Sequence, residues 1–303
     1  MRIDVLTLFP EMFRGFLEES VLAKAIDRGL IRVVLHNIRA WSHDPKHHKV
    51  DDRPFGGGPG MVLMAPPVVE CVEAVQAQAE AGHLVLLTPQ GRRLTQEVVE
   101  ELSRYPRLLL LCGRYEGFDE RVRLILRPDE ISIGDYVLSG GEVPAMAVIE
   151  AVSRLIPGVL GDEESCRRDS FSGPDRLLDH AQYTRPRGYR GHEVPAVLLS
   201  GNHTAVARWR LQDSRARTES RRATSARDAS AAESIGTTDM TDMTGATKIT
   251  EITDATDMPG GTDMTRMTDM VNTTGITDIT GTADTAKYGG TKANGESRAG
   301  NGE

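Results

Sequence analysis

The chain has 303 residues and a formal net charge of -8, with apolar and charged fractions that belong to a water-soluble protein with a real core. The acidity is uneven: Ile235 to Glu303 carries 11 acidic and five basic residues, which leaves the preceding residues close to neutral and free to hold a basic face beside an acidic one. A uniformly acidic surface that repels nucleic acid is thereby excluded, and the widely spaced Cys71, Cys112 and Cys166 give neither a disulfide framework nor a zinc-type C-x-x-C pair.

In chain order, "IDVLTLF" reads as a strand, and Met12, Phe13, Phe16, Leu17, Val21 and Ala25 then recur at helical spacing until Gly29. The opening "MRIDVLTLFPEMF" lacks the pattern of a leader, and no apolar run approaches the roughly 20 residues that cross a bilayer. A cytoplasmic protein without a membrane partner is expected. "IRVVLH" is a second strand, followed by the long polar loop "NIRAWSHDPKHHKVDDRPFGGGPGM" and a helix from near Pro66 and Pro67. Loops of that length inside a compact domain are usually functional. Four histidines at 36, 43, 47 and 48 have no acidic or thiol partner at a convincing ligand spacing, so zinc is not expected there.

Three strand-turn-helix units come next: "HLVLL" into "TPQGRR", "RLLLL" into "CGRYEGFDE", and "DEISI" into "GDYVLSGGE". Continuous apolar strands alternating with helices predict a mostly parallel sheet covered on both faces, with a ligand beyond the carboxyl ends of the strands where these turns gather. The stretch "ISIGDYVLSGGEVP" at 131 to 144 has no lysine or arginine and fits neither a Walker loop nor a G-x-G-x-x-G fingerprint. Its glycines admit a ligand close to the backbone, and Leu87, Tyr115, Ile133, Tyr136 and Leu138 add apolar surface, which suits an adenine ring better than a polyphosphate. Taken singly, each glycine is as well explained by an ordinary turn.

The amphipathic run "EVPAMAVIEAVSRLIPGVLG" ends at Gly161, where "DEESCRRDSFSGP" breaks the apolar pattern. The organisation read from this is a domain over 1–160, a linker over 161–173, a small helical domain over 174–234 and a low-complexity tail over 235–303. The tail repeats T-D-M, T-D-I and T-G units, which fit neither helix nor strand burial and are expected to be disordered. Arg208, Arg210, Arg215, Arg217, Arg221, Arg222 and Arg227 form one basic run, and Arg39, Lys46, His47, His48, Lys49 and Arg53 another, both suited to RNA phosphates. Trp209 reads as an anchor of the small core in preference to a base-stacking platform.

The words "LFPEMF", "VDDRPFGGGPGM", "LTPQGR", "LCGRYEGFDERV", "SIGDYVLSGGEVPAM", "SRLIPGVLG", "DSFSGP", "AQYTRP", "VPAVLLSGNH" and "RWRLQDS", spread over about residues 1 to 215, resemble the bacterial tRNA (guanine-N1)-methyltransferases that act at tRNA position 37. The resemblance implies an α/β fold with a parallel-sheet SPOUT methyltransferase domain containing a deep trefoil knot, a small helical C-terminal domain and the disordered tail. It implies S-adenosylmethionine as methyl donor, held by Leu87, Pro89, Gly113, Tyr115, Glu116, Ile133, Gly134, Asp135, Tyr136, Val137, Leu138, Gly140, Gly141 and Pro144. A loop without cations suits a ligand that brings its own positive sulfonium. Glu116 has three readings: it faces that sulfonium, helps hold a divalent cation such as Mg2+, or is a surface carboxylate at a helix start. Asp52, Arg53 and Gly58 are implied to meet the target nucleotide, and Arg208 and Arg210 the RNA backbone.

Guanine N1 carries a proton at neutral pH, so methylation there requires a base and a group that offsets charge moving toward O6. By the resemblance these are Asp169 in "RRDSF" and Arg154 in "VSRLIPG"; without it they read as a helix-start signal and the charged face of a helix. The resemblance also implies a homodimer whose active site is shared between subunits. Beyond "RWRLQDSRART" large apolar residues become scarce, so a shortened C-terminal domain is expected. The rival reading is a non-catalytic RNA-binding protein on the same scaffold.

Overall fold

The structure, a computed structural model, describes residues 1–161 and 169–236. Most of the expected linker, Cys166 and nearly all of the expected tail lie outside the described residues.

A five-stranded, wholly parallel sheet forms the centre, built from β1 (Arg2–Thr7), β2 (Arg32–Asn37), β5 (His83–Arg93), β6 (Arg107–Cys112) and β7 (Asp129–Ser132) in the order β2-β1-β6-β5-β7. Between β2 and β5 lies a small antiparallel ribbon of β3 (Asp51–Asp52) and β4 (Val62–Leu63). The continuous apolar strands are buried on both faces, as expected. On one face Ile3, Val5, Val85, Leu87, Leu108, Leu110 and Ile131 pack with α2 (Ser20–Asp27), α4 (Gln96–Leu102) and α6 (Glu142–Ser153). On the other, Leu6, Leu86, Leu109 and Leu111 meet α3 (Ala65–Gln76) and Val122 of α5 (Glu120–Leu126). The period-two alternation of strand side chains assigns these two sets to opposite faces.

The run expected as one helix after β1 is three pieces: a 3-10 turn over Pro10–Phe13, α1 (Arg14–Leu17), and α2, with Ser20 at φ 63° where α2 begins. Phe13, Leu22 and Ala25 still reach the same core cluster. The apolar spacing therefore reported the buried face, not continuity of the helical hydrogen bonds. The "TPQGRR" turn also differs from a simple strand-to-helix link. Leu87 pairs with Ile131, the chain bulges, and Arg92 and Arg93 rejoin β7 before Thr95 caps α4.

The opposite end of the sheet is closed by a buried ion cluster. Arg107 reaches Asp4 across 2.8 Å and donates to the carbonyls of Val75, Gln76 and Glu80 at and just beyond the end of α3. Arg2 and His36 complete the shell of Asp4, at 2.7 and 2.8 Å. Burial alone opposes ionisation of Asp4, but the hydrogen bonds from His36, Arg2 and Arg107 prevail and hold its carboxyl well below the usual range.

After residue 173 the chain has a two-residue ribbon, β8 (Gly188–Tyr189) with β9 (His192–Glu193), a 3-10 turn at Ala196–Leu199 and the single long helix α7 (His203–Gly236). Within α7, Ser214 and Thr218 are the buried residues among those whose burial is described, and Trp209 is half-buried beside His180 and Tyr183, with ring centroids 6.3 and 6.2 Å away. Among the described residues no helix is long and apolar enough to cross a membrane.

Candidate functional site

Because β5, β6 and β7 are parallel, the loops that leave them, 88–91, 113–119 and 133–141, emerge at one end of the sheet. Together they enclose a cleft of about 340 Å³. Every residue expected at the donor site lines it except Asp135, which points outward to Arg93 at 2.6 Å. Thr88, Gln90, Phe118, Arg123, Ser132 and Ser139 also line the cleft; all but Arg123 lie in the turns or the 131–144 stretch singled out in the sequence, although none is among the expected contacts.

The third loop is held from below. Gly141 donates its N–H to the carbonyl of Gly113 at 2.8 Å, and a Cβ at Gly141 would lie 2.7 Å from the Cα of Cys112 and 2.9 Å from the nitrogen of Gly113. Only glycine permits this approach of two backbones. Under the loop, Glu142 is fully buried in the first turn of α6, where the Thr7 hydroxyl donates to it at 2.7 Å and Arg114 pairs with it at 2.9 Å. Arg114 also reaches the carbonyl of Ser139 and lies over the Phe9 ring. The thiol of Cys112 beside this group is pushed well up by burial and then by the charge of Glu142, so it is inert.

Two guanidinium groups line the cleft, and both are already paired: Arg114 with Glu142, and Arg123 with Glu120 and Glu130 at 2.9 and 3.1 Å. Arg92 is tied to Glu101 and Asp129 instead of facing the cleft. No cationic cradle for a polyphosphate exists among the described lining residues, while Tyr115, Tyr136, Val137 and Leu138 offer exposed apolar surface.

The glycine-rich loop before α3 is fastened to the second cleft loop. The N–H of Glu116 donates to the carbonyl of Met61 at 3.0 Å, that of Leu63 to the carbonyl of Gly117 at 2.9 Å, and that of Asp119 to the carbonyl of Leu63 at 2.9 Å. Gly60, at φ 87°, lies against the Glu116 side chain, and a Cβ there would run into its carboxylate. Asp52, Arg53 and Gly58 on this loop are exposed; Asp52 pairs with Lys49 at 2.9 Å and accepts the N–H of Arg53, contacts that lower its pKa.

Arg154 follows the last residue of α6, and its Nη2 lies 2.7 Å from Oδ2 of Asp169. Both side chains are nearly half exposed, and neither lines the 340 Å³ cleft of the same chain. Arg208 and Arg210 lie on α7, Arg208 exposed and Arg210 bordering a second cleft with Arg185, Arg187 and Tyr183. Members of the arginine run also make contacts within the chain: Arg217 pairs with Asp213 one turn earlier on α7, Arg221 lies over the Phe171 ring, and Arg222 donates to the carbonyl of Asp175 at 3.4 Å. Two of the four clustered histidines are engaged by carboxylates, His36 by Asp4 and His43 by Glu70. No group of three or more His, Cys, Asp or Glu side chains suited to a metal ion occurs among the described residues.

Comparison with known proteins gives a consistent neighbourhood. Residues 1–227 match the family described as tRNA (Guanine-1)-methyltransferase TrmD. Among similar proteins, one from Rhodopirellula baltica is 60% identical over 219 residues, covering 72% of this chain and 90% of the relative. Others are 56% identical in Dehalococcoides mccartyi, covering 72% of this chain and 87% of the relative, and 53% identical in a Geobacter species, covering 72% and 86%. All three carry the name tRNA (guanine-N(1)-)-methyltransferase.

Proposed function

Because the chain belongs to the tRNA (guanine-1)-methyltransferase family, and so is an enzyme that methylates N1 of guanine in tRNA, we propose that the cleft beyond β5, β6 and β7 takes S-adenosylmethionine and serves the guanine at position 37. One observation carries this: three loops, each containing glycine, converge on a cleft whose lining mixes apolar and neutral polar surface and whose two arginines are already paired with carboxylates. Such a lining fits an adenine ring and a positively charged sulfur, and it disfavours a phosphate ligand. When bound, the donor supplies an electrophilic methyl group. The remaining chemistry falls to side chains.

Asp169 accepts the proton from guanine N1, which frees the N1 lone pair to form the new bond to carbon. Arg154 offsets the negative charge that moves to O6 and, through its 2.7 Å contact with Asp169, aligns the base beforehand. Since this pair does not line the cleft of its own chain, a homodimer in which the cleft of one subunit works with Asp169 and Arg154 of the other completes the site. The trefoil knot of the SPOUT fold, the helical domain over 174–234 and the cytoplasmic location belong to the same reading. Glu116, beside Gly60 on the cleft wall, would in this reading face the sulfonium or assist a Mg2+ ion.

The direct test is mass-spectrometric detection of 1-methylguanine in an unmodified tRNA transcript with guanines at positions 36 and 37. Product at position 37 is expected; a transcript left unmethylated by enzyme that binds both donor and tRNA would favour a non-catalytic scaffold.

Two further results are expected. Gly141→Ala forces a methyl group into the backbone of Cys112 and Gly113, an overpacking that typically costs about 1–3 kcal/mol. Calorimetry should therefore show S-adenosylmethionine binding weakened by about tenfold or more, and unchanged affinity would place the donor elsewhere. The second concerns salt. Lys46, Lys49, Arg53, Arg208 and Arg210 would release counterions from tRNA, so tRNA affinity should fall steeply with ionic strength while donor affinity stays nearly flat. Equal salt slopes for the two ligands would remove these surfaces from the RNA interface.

A further inference from the structure

Asp169 stands at the start of the loop "DSFSGPDR", and a base on a loop can act only if something holds that loop still. Within the loop, the Phe171 N–H donates to the carbonyl of Leu177 at 2.7 Å, and the carbonyl of Asp169 accepts from the N–H and the hydroxyl of Ser172 at 3.2 and 2.6 Å. These bonds fold the loop onto itself. They do not attach it to the sheet domain.

Arg176 makes that attachment. Its guanidinium grips the Glu100 carboxylate with both terminal nitrogens, at 2.5 and 2.8 Å, and Nη1 also donates to the carbonyl of Phe171 at 2.7 Å. Nε lies 3.5 Å from Glu97, one turn earlier on the same helix. Glu97 and Glu100 belong to α4, which packs against α6, the helix that ends at Arg154. A continuous path of packed and hydrogen-bonded groups therefore runs from Arg154 through α6, α4 and Arg176 to the peptide two residues beyond Asp169. Arg176 itself sits at φ 49°, a backbone conformation that a non-glycine residue adopts at some cost and that here turns its side chain toward α4 and Phe171.

We propose that Arg176 is a positioning residue for methyl transfer: by clamping the Phe171 carbonyl to Glu100, it fixes the Asp169 carboxylate at Arg154. The proposal rests on Asp169 being the base. A planar guanidinium suits this clamp because its fork of five N–H donors can serve the two oxygens of Glu100 and the carbonyl of Phe171 together. An ammonium cannot serve all three as well. Displacement of a catalytic group by about 1 Å can lower a rate by about 10²-fold, so loss of the clamp has a measurable consequence without any contact between Arg176 and the substrate.

The test compares Arg176→Ala, Arg176→Lys, Glu100→Ala and the Arg176→Ala/Glu100→Ala double variant in the full chain, with Asp169→Asn measured beside them. Single-turnover methylation by Arg176→Ala should fall by about 10- to 100-fold while S-adenosylmethionine affinity stays within about twofold of wild type. Arg176→Lys should recover part of the rate, and the double variant should be no slower than Arg176→Ala, because one clamp is removed in both. Hydrogen exchange at the amides of Phe171 and Ser172 reads loop order independently of chemistry, and it should speed up in Arg176→Ala. If methylation and exchange both remain at wild-type values while Asp169→Asn is slow, the clamp is overturned and the base assignment stands. If exchange speeds up but both Arg176→Ala and Asp169→Asn methylate normally, the loop is clamped as described but Asp169 is not the base, and the proposed role in methyl transfer is overturned with it. Equal losses of donor affinity and rate would assign Arg176 a general structural role and also overturn the proposal.

Discussion

Asp169→Asn is expected to slow single-turnover methylation of tRNA by about 10²- to 10⁴-fold, the range a positioned general base typically contributes. The substitution keeps the shape of the side chain and a hydrogen-bonding oxygen toward Arg154, whose present contact is 2.7 Å, but removes the basic carboxylate. Donor affinity should change little, because the side chain is absent from the lining of the 340 Å³ cleft. The pH dependence adds a second reading. If Asp169 takes the N1 proton, the residual rate of the variant should rise with pH as guanine loses that proton to solvent. A variant that methylates at the wild-type rate would require another base.

The largest stability effect is expected from Asp4→Ala. The substitution leaves Arg107 buried with its carboxylate gone, a change that costs about 3–5 kcal/mol when one partner of a buried pair is removed. Three carbonyls around the end of α3 continue to solvate Arg107, which favours the lower end of that range. Thermal unfolding should move down by roughly 6–12 °C for a domain of this size. The sign with pH follows from the depressed carboxyl: the stabilisation from Asp4 is fully present above its unfolded value near 4 and is lost as pH falls toward the folded one. Wild type should therefore lose stability faster than Asp4→Ala below about pH 4, and parallel acid limbs would contradict the role given to the cluster.

The sheet and the convergence of three turns on one cleft were readable because their signals are local. "RLLLL" and "HLVLL" are unbroken apolar runs that suit a strand covered on both faces, and β6 is buried along its whole length. Parallel strands then bring their following loops to one end, so the three glycine-rich turns had to meet. What stayed hidden in the sequence joins residues far apart in the chain. Glu142 opens the run "EVPAMAVIEAVSRLIPGVLG" with nothing in that run to mark it, yet it is buried against Thr7 and Arg114. Arg107 and Asp4 are separated by 103 positions, and Arg176 and Glu100 by 76. An ion pair of that kind leaves no periodic trace, because either partner alone is indistinguishable from a solvated charge. Asp135 shows the opposite case: it lies inside a cleft-forming loop, but its carboxylate pairs with Arg93 and it does not line the cleft.

With the loop before α3 meeting the nucleotide and the second cleft loop meeting the donor, as proposed above, the fastening of residues 61–63 to 116–119 makes the two a single cassette for protein engineering. Gly60 lies against the Glu116 side chain at φ 87°, so a larger residue at 60 meets both that side chain and a backbone conformation that favours glycine, and a smaller residue at 116 relieves only the first. A chimera meant to carry the substrate preference of a relative must therefore exchange both segments together. Transplanting the exposed glycines alone would import a loop whose anchoring partners remain those of the recipient.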